Sequence, residues 1–384
     1  MKFLRIDEPC EIIPIGCRLL HLFGLGRDNR FKLVYWIQCL IYLVFSIIPR
    51  ILLQVDDVVM LLRHISEIVF ITYLCLQMAA LYFRRAHLYQ LVDMLAQCSE
   101  QSRSEEIQTF FIRSNIKINK SSIAYVRFFL LLYVLYCTMS PIASFMVYIR
   151  NAQNSTGEPD EFIISSEMNL YYLDIRYNPL HYSIYAGTIF VLSGISSLSL
   201  CTKDVVDIAA IKTTTLMFQT TAMQIRELSG QFTQDQLSRA IDLHRRTLSC
   251  KNKLQDALNL SLLFQLASCS GIWCLMMFYI LLMGLDSRIL NLVVLLVIVS
   301  IETYAYCVLG TQLTESGEDV LMALQQLSWY DQPVRVQRQI LFMIHRSQVP
   351  ILLTAGNLFF ASVLQFSEII QKSYSFFLVL KNVF

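Results

Sequence analysis

Runs of about twenty apolar residues recur along this chain, and they constrain its fold more than any other feature. Such a run matches the hydrocarbon thickness of a bilayer when coiled as a helix. In lipid every backbone amide must be satisfied internally, so the runs must be helices or the strands of a closed barrel. No run alternates with period two, which excludes the barrel. Seven candidate spans follow: 33–53, 58–83, 125–148, 181–201, 260–285, 290–312 and 351–380. Pro49-Arg50 interrupts the first near its end, and Arg63, His64 and Glu67 sit early in the second. The last is the least clean. Of all residues 55% are hydrophobic and 16% are charged, against about 25% charged in ordinary globular chains. The expected fold class is an all-α membrane protein with seven transmembrane helices, forming a single domain over 1–384.

Lys and Arg orient the spans. The segment before the first span and the alternate loops after it hold 23 of them, whereas the opposite side holds only Arg150, Arg176, Arg288 and Lys381. The positive-inside rule places the N-terminus in the cytoplasm and the C-terminus outside. Residues 1–30 have no clean apolar core, because Glu8, Pro9, Glu11, Pro14 and Arg18 interrupt it. The first span is therefore expected to act as its own insertion signal. Asn154-Ser155-Thr156 is a glycosylation sequon in the loop after span three, which the charge count puts outside. Asn119 and Asn259 also begin sequons, but on the cytoplasmic side.

This topology is the reverse of a G-protein-coupled receptor, and the local motifs agree. No Asp-Arg-Tyr closes span three, and the only Asn-Pro is Asn178-Pro179, in an outer loop. A transporter has no support, because no internal duplication is visible. Enzyme signatures such as a Gly-rich phosphate loop or His-Glu-x-x-His are absent. The chain is read as a non-enzyme with no cofactor and no metal. Cys269 and Cys274 lie in an apolar helix rather than at zinc spacing. There is no basic run of nucleic-acid type, so nucleic acid is excluded as a partner. The eleven cysteines leave the long outer loop empty, and no disulfide framework is expected.

Between spans four and five the stretch Lys203–Asn259 is polar enough to leave the membrane yet keeps helical spacing. Leu237, Ile241, His244, Leu248, Lys251, Leu254 and Leu258 recur at three-to-four steps. A break is expected at Ser229-Gly230, followed by a capping box from Thr233 to Gln236. Spans four and five thus extend as long helices into the cytoplasm. Glu318–Leu327 and Val334–Arg346 read as two further helices, separated by Trp329–Pro333. Glu67, Glu302 and Glu368 are the acidic residues in or near spans. Carboxylates there are costly and need partners. Arg63 is placed to pair with Glu67, and a neighbouring helix is expected to serve Glu302.

The chain closes on Ser373-Tyr374-Ser375-Phe376-Phe377-Leu378-Val379-Leu380-Lys381-Asn382-Val383-Phe384. This hydroxyl-dotted apolar ending, with Cys307-Val308-Leu309-Gly310, Ser316, Ala323 and Trp329-Tyr330 before it, resembles the insect odorant receptor family. The resemblance covers the whole chain by layout and is specific in the C-terminal third. Leu378 departs from it, standing where a Thr is common. The sister gustatory receptors share the layout but favour a terminal Thr-Tyr and a Gln-Phe, which this chain lacks.

The resemblance implies a tuning subunit of an odorant-gated, non-selective cation channel in the plasma membrane of an olfactory neuron's dendrite. Its partners are a co-receptor subunit in a heterotetramer, a volatile odorant, membrane lipid and permeant cations. The final helix lines the pore. Val379 and Val383 are four apart on one face and match the family's apolar constriction, which closes a pore by dewetting. Asn382 adjoins that ring, and Lys381 must point away from it. The resemblance puts the odorant pocket in the outer half of spans two, three, four and six. The corresponding candidates are Ile68, Thr72, Tyr136, Ser140, Tyr185, Ile189, Val297 and Ile301.

Overall fold

The computed structural model describes residues 11–27, 32–52, 58–99, 104–153, 159–166, 168, 170–228, 232–283 and 290–383. Nearly all of them are helical. A short α1 (Pro14–Leu22) precedes α2 (Lys32–Tyr42), which continues through a π-helical turn (Leu43–Ile47) into α3 (Ile48–Ile51). Four long helices follow: α4 (Val58–Ser99), α5 (Glu105–Gln153), α6 (Pro179–Arg226) and α7 (Gln234–Met283). Then come α8 (Leu290–Gln325), α9 (Val334–Ser347), a two-stranded hairpin of β1 (Thr354–Ala355) and β2 (Phe359–Phe360), and α10 (Val363–Val383).

Length is the first structural finding. The 48 residues of α6 span roughly 70 Å at 1.5 Å per residue, more than twice a bilayer core of about 30 Å. The extension expected for spans four and five is present, and α4 and α5 share it. Six stretches among the described residues are long and apolar enough to cross a membrane: Leu33–Ile51, His64–Ser99, Glu105–Gln153, Pro179–Arg226, Gln234–Tyr279 and Leu296–Gln325.

Local chemistry sets the helix ends. Asn178 caps α6, its side chain accepting from the Leu180 and His181 amides, with Pro179 at the first helical position. At α7 the expected capping box forms. The Thr233 amide donates to Gln236 Oε1 at 2.8 Å, and the Gln236 amide donates to Thr233 Oγ1 at 3.3 Å. Pro333 precedes α9, which buries Val336, Ile340, Met343 and Ile344 at helical spacing.

Three expectations need correction. Glu318–Leu327 is not a separate helix, because α8 runs unbroken to Gln325. Gly317 lies inside that run, and a Cβ there would come within 2.4 Å of Ile351, so the glycine admits close packing instead of ending the helix. The seventh span does not begin at 351. Its first third is the hairpin, which turns at Gly356 and Asn357 with φ of 61° and 55°. Backbone and side chains of α7 hold it: the Gly356 amide donates to the Asn259 carbonyl and the Asn357 amide to Asn259 Oδ1, both at 3.0 Å, and the Thr354 amide donates to Gln255 Oε1 at 2.8 Å. From Val363, α10 runs without a break through the polar stretch Ser367–Ser375. Lys372 pairs with Glu368 at 3.0 Å and Ser375 donates to the Gln371 carbonyl, so the polar residues are satisfied within the helix.

The third correction is Lys203. Counted as a loop cation, it is fully buried within α6. All residues from Cys201 to Asp207 are buried, because α6 runs through the middle of the molecule between α4, α5, α7 and α8.

A plugged bundle, a small cavity and a charged floor

The described residues of segment 159–178 fold back onto one end of the helix bundle and plug it. Phe162, Met168, Leu170 and Ile175 pack on Tyr182, Tyr185 and Ile189 of α6. The backbone of this plug is satisfied by the helices. Ile163 O accepts from Ser140 Oγ at 2.6 Å, Ser144 Oγ at 3.0 Å and Tyr182 OH at 3.2 Å. Tyr185 OH donates to Ser166 O and accepts from the Ser166 amide, both at 2.9 Å. Arg50 and Glu67 complete the seal. Arg50 donates to Ser166 Oγ at 2.6 Å, Ser166 Oγ donates to Glu67 Oε2 at 2.7 Å, and Arg50 Nε lies 3.7 Å from Glu67 Oε2. Glu67 therefore has Arg50 as its ionic partner, which explains an arginine at the end of an apolar span. The side chain of Arg63, the partner expected from sequence, lies outside the described residues.

Beneath the plug is a cavity of about 280 Å³. Its wall is Tyr42 of α2, Phe70, Ile71, Tyr73 and Leu74 of α4, and Phe129, Leu132, Tyr133 and Tyr136 of α5. Ile189, Leu192, Ser193, Ser196, Ser197 and Leu200 of α6 and Ile298, Val299 and Glu302 of α8 complete it. The wall is mostly apolar with a few polar groups, and the volume lies near the lower end for small-molecule sites.

Two of the eight candidate pocket residues, Tyr136 and Ile189, line this cavity. Ser140 and Tyr185 sit further out, committed to the plug. Ile68, Thr72, Val297 and Ile301 are exposed on the outside of the bundle. The cavity draws on the same four helices as these candidates, mostly at other positions. On α4 and α8 the wall is taken by Phe70, Ile71, Tyr73 and Leu74 and by Ile298, Val299 and Glu302. Ser140 and Tyr185 instead bond the backbone of the segment that packs on the bundle. On α10, Val379 is 60% exposed. Asn382 and Val383 belong to that helix, but their side chains lie outside the described residues, as does Asn154.

The floor of the cavity is a buried ionic network that the sequence reading missed. Lys203 Nζ contacts four groups: Gln265 Oε1 at 2.9 Å, Tyr73 OH at 3.0 Å, Asp204 Oδ1 at 3.1 Å, and Glu302 Oε1. Asp204 also accepts from Tyr306 OH at 2.8 Å and from Tyr125 OH at 2.5 Å. One turn further along α6, Asp207 pairs with Arg84 at 3.0 Å, both buried. Glu302 thus finds its partner on a neighbouring helix, as expected. A sequence signal for the network existed: after Lys203-Asp204 the chain continues Val205-Val206-Asp207-Ile208-Ala209-Ala210-Ile211, too apolar for a loop leaving the bundle.

The sequence profile of the 7tm odorant receptor family matches residues 57–374. The chain belongs to that family. Odorant receptor 19a and putative odorant receptor 19b of Drosophila melanogaster are each 26% identical over 141 residues, which is 36% of this chain and 36% of theirs. Odorant receptor 43b of the same fly is 21% identical over 237 residues, 60% of this chain and 56% of its own length. The matched stretches thus span about a third to a half of those relatives. The fold extends further. The olfactory receptor OR5 of Machilis hrabei, solved in complex with eugenol, superposes with a TM-score of 0.74 at 13% identity, covering 97% of this chain and 98% of that one. A second structure of that receptor superposes with a TM-score of 0.68. The chain is therefore a multi-pass membrane protein of a receptor family, with the seven-helix fold of the insect olfactory receptors.

Proposed function

We propose that this odorant receptor is a tuning subunit that binds a volatile in the 280 Å³ cavity and gates a cation pore shared with a co-receptor in a heterotetramer. The cavity carries the reading. It is walled by five helices and mostly apolar, and it fits a small uncharged molecule. The whole chain acts as one domain, with its N-terminus in the cytoplasm, Asn154 outside and available for glycosylation, and the protein in the plasma membrane of the neuron's dendrite. Val379, Val383 and Asn382 line the pore, and their ring closes it by dewetting. Gating is a population shift, for which the odorant must bind the open arrangement more tightly than the closed one.

The test is odour-evoked current in cells expressing the chain with the co-receptor. Filling the cavity by Ile71→Trp is expected to abolish the current while leaving surface expression intact. Absence of cation current across a broad volatile panel, with a known receptor responding in parallel, would overturn the reading.

A further inference from the structure

The cavity's polar groups are unevenly spent, and the imbalance specifies a ligand. Of the hydroxyls in the wall, four already donate to internal acceptors. Tyr73 donates to Gln265 Oε1 at 2.5 Å and Tyr133 to Phe190 O at 3.0 Å. Ser193 donates to Ile189 O at 2.6 Å and Ser196 to Leu192 O at 2.9 Å. What these groups still present to the cavity is lone pairs.

Glu302 adds to that surplus. Its Oε1 takes Lys203 and lies 3.4 Å from Tyr73 OH. Among the described residues no hydrogen bond reaches its second oxygen, Oε2, and Glu302 lines the cavity. The floor is also unbalanced in charge, because Lys203 faces two carboxylates, Asp204 and Glu302. Asp204 is satisfied by Lys203 and two tyrosines. The open acceptor position is therefore Glu302 Oε2, at the wall of a mostly apolar cavity, where a polar atom without a hydrogen bond is costly.

We infer that Glu302 is the specificity-determining residue of this cavity and that its preferred ligand is a compact volatile alcohol or phenol, whose hydroxyl donates to the open carboxylate oxygen. The inference rests on the cavity being the odorant site. An ester, ketone or ether of the same shape brings only acceptors and has no proton to give Oε2. It leaves Glu302 unpaired, and a site built for a hydrogen bond discriminates against a ligand that lacks it. A neutral hydroxyl suits the site better than an ammonium. Lys203 already occupies the far side of Glu302, and a second cation would be desolvated beside the first.

The test uses matched pairs on the purified full chain in detergent, read as ligand-induced thermal stabilisation. The probes are hexan-2-ol against hexan-2-one, cyclohexanol against cyclohexanone, and 1-phenylethanol against acetophenone. The amine 1-phenylethylamine is the charged arm. The alcohols are expected to bind about tenfold or more tightly than the ketones, the range of a hydrogen bond to a charged group. In Glu302→Gln, whose amide both donates and accepts, that ratio is expected to fall towards one. The wild-type comparison stands even if this variant does not fold. Equal binding of alcohol and ketone overturns the assignment but leaves the cavity as the site. A ketone preference also overturns it, because a Glu302 carrying its own proton would be the donor. Tighter binding of the amine overturns the choice of a neutral ligand. Loss of all stabilisation on Ile71→Trp, in parallel, ties the binding to this cavity. No stabilisation by any probe counts against the cavity reading itself and removes the inference with it.

Discussion

Replacing Lys203 by Met tests whether the charged floor holds the bundle together. The side chain is fully buried and its ammonium meets Asp204 at 3.1 Å as well as Glu302. Each pair is worth about 5 kcal/mol at that separation with an effective dielectric near 20. Burying the ammonium costs several kcal/mol and offsets about half of the sum. Removing the cation leaves two carboxylates without it in the interior, and the net loss is expected to be ~3–5 kcal/mol. The partner variant discriminates between mechanisms. In Lys203→Met with Glu302→Gln, Asp204 keeps the hydroxyls of Tyr125 and Tyr306, and only one carboxylate remains. The double variant is therefore expected to be more stable than Lys203→Met alone by about 1–2 kcal/mol, a non-additive result typical of one network. Graded SDS denaturation in mixed micelles supplies the free energies. A loss below about 1 kcal/mol for Lys203→Met, or a double variant that costs the sum of its parts, would refute the electrostatic argument.

Other predictions read different parts of the molecule. Gly310→Ala places a methyl 2.0 Å from the Ala361 carbonyl oxygen; backbone must move, and a loss of ~1–3 kcal/mol should accompany altered gating, seen as reduced maximal current at unchanged ligand stabilisation. His244 in the cytoplasmic extension of α7 is buried and sits beside Arg346, and burial with that neighbouring charge lowers its pKa to about 4 from 6.5. The unfolded chain binds the extra proton between those values, so this contribution to stability is full above pH 6.5 and is lost as pH falls towards 4, up to ~3 kcal/mol. His244→Gln should flatten that part of the stability profile measured from pH 7 to 4.5. Thr233→Ala removes the α7 cap and should cost about 1 kcal/mol, seen as faster amide exchange over the first turn. Arg50→Met should loosen the plug, exposing segment 159–166 to protease while the cavity below persists.

The sequence made the helices legible but not the boundary between membrane and molecule. Hydropathy located the spans, and the capping box at Thr233 and the stripe through Leu237 and Leu258 located the long extension. These signals are local. The hairpin before α10 was not legible, because its partners, Gln255 and Asn259, lie about a hundred residues earlier in the chain. Lys203 misled for a related reason. A charge at the end of an apolar run reads as an exit from lipid unless its partner is known, and Glu302 is 99 residues away. Nothing in the sequence of the loop after span three announces that it folds onto the bundle. Ser140 and Tyr185 were singled out for their hydroxyls, and those hydroxyls serve the loop's backbone rather than a ligand.

One helix joins the two halves of the proposed mechanism. Glu302 puts α8 in the floor of the cavity, and Gly310, eight residues on, puts the same helix against the segment that leads into α10. Eight helical residues are about 12 Å, and the stretch between them is continuous helix. A ligand that donates to the open oxygen of Glu302 would therefore act on an element already in close contact with the segment leading into the last helix. The glycine makes that contact possible, since any side chain would hold the two segments apart. Rigid helices transmit small displacements without absorbing them, because packed interiors are not continuously deformable. In the proposed mechanism the charged floor then serves a second purpose beyond stability. It fixes α8 against α6 in one arrangement through Lys203, and a ligand that redistributes the hydrogen bonds of Glu302 changes the balance between that arrangement and another.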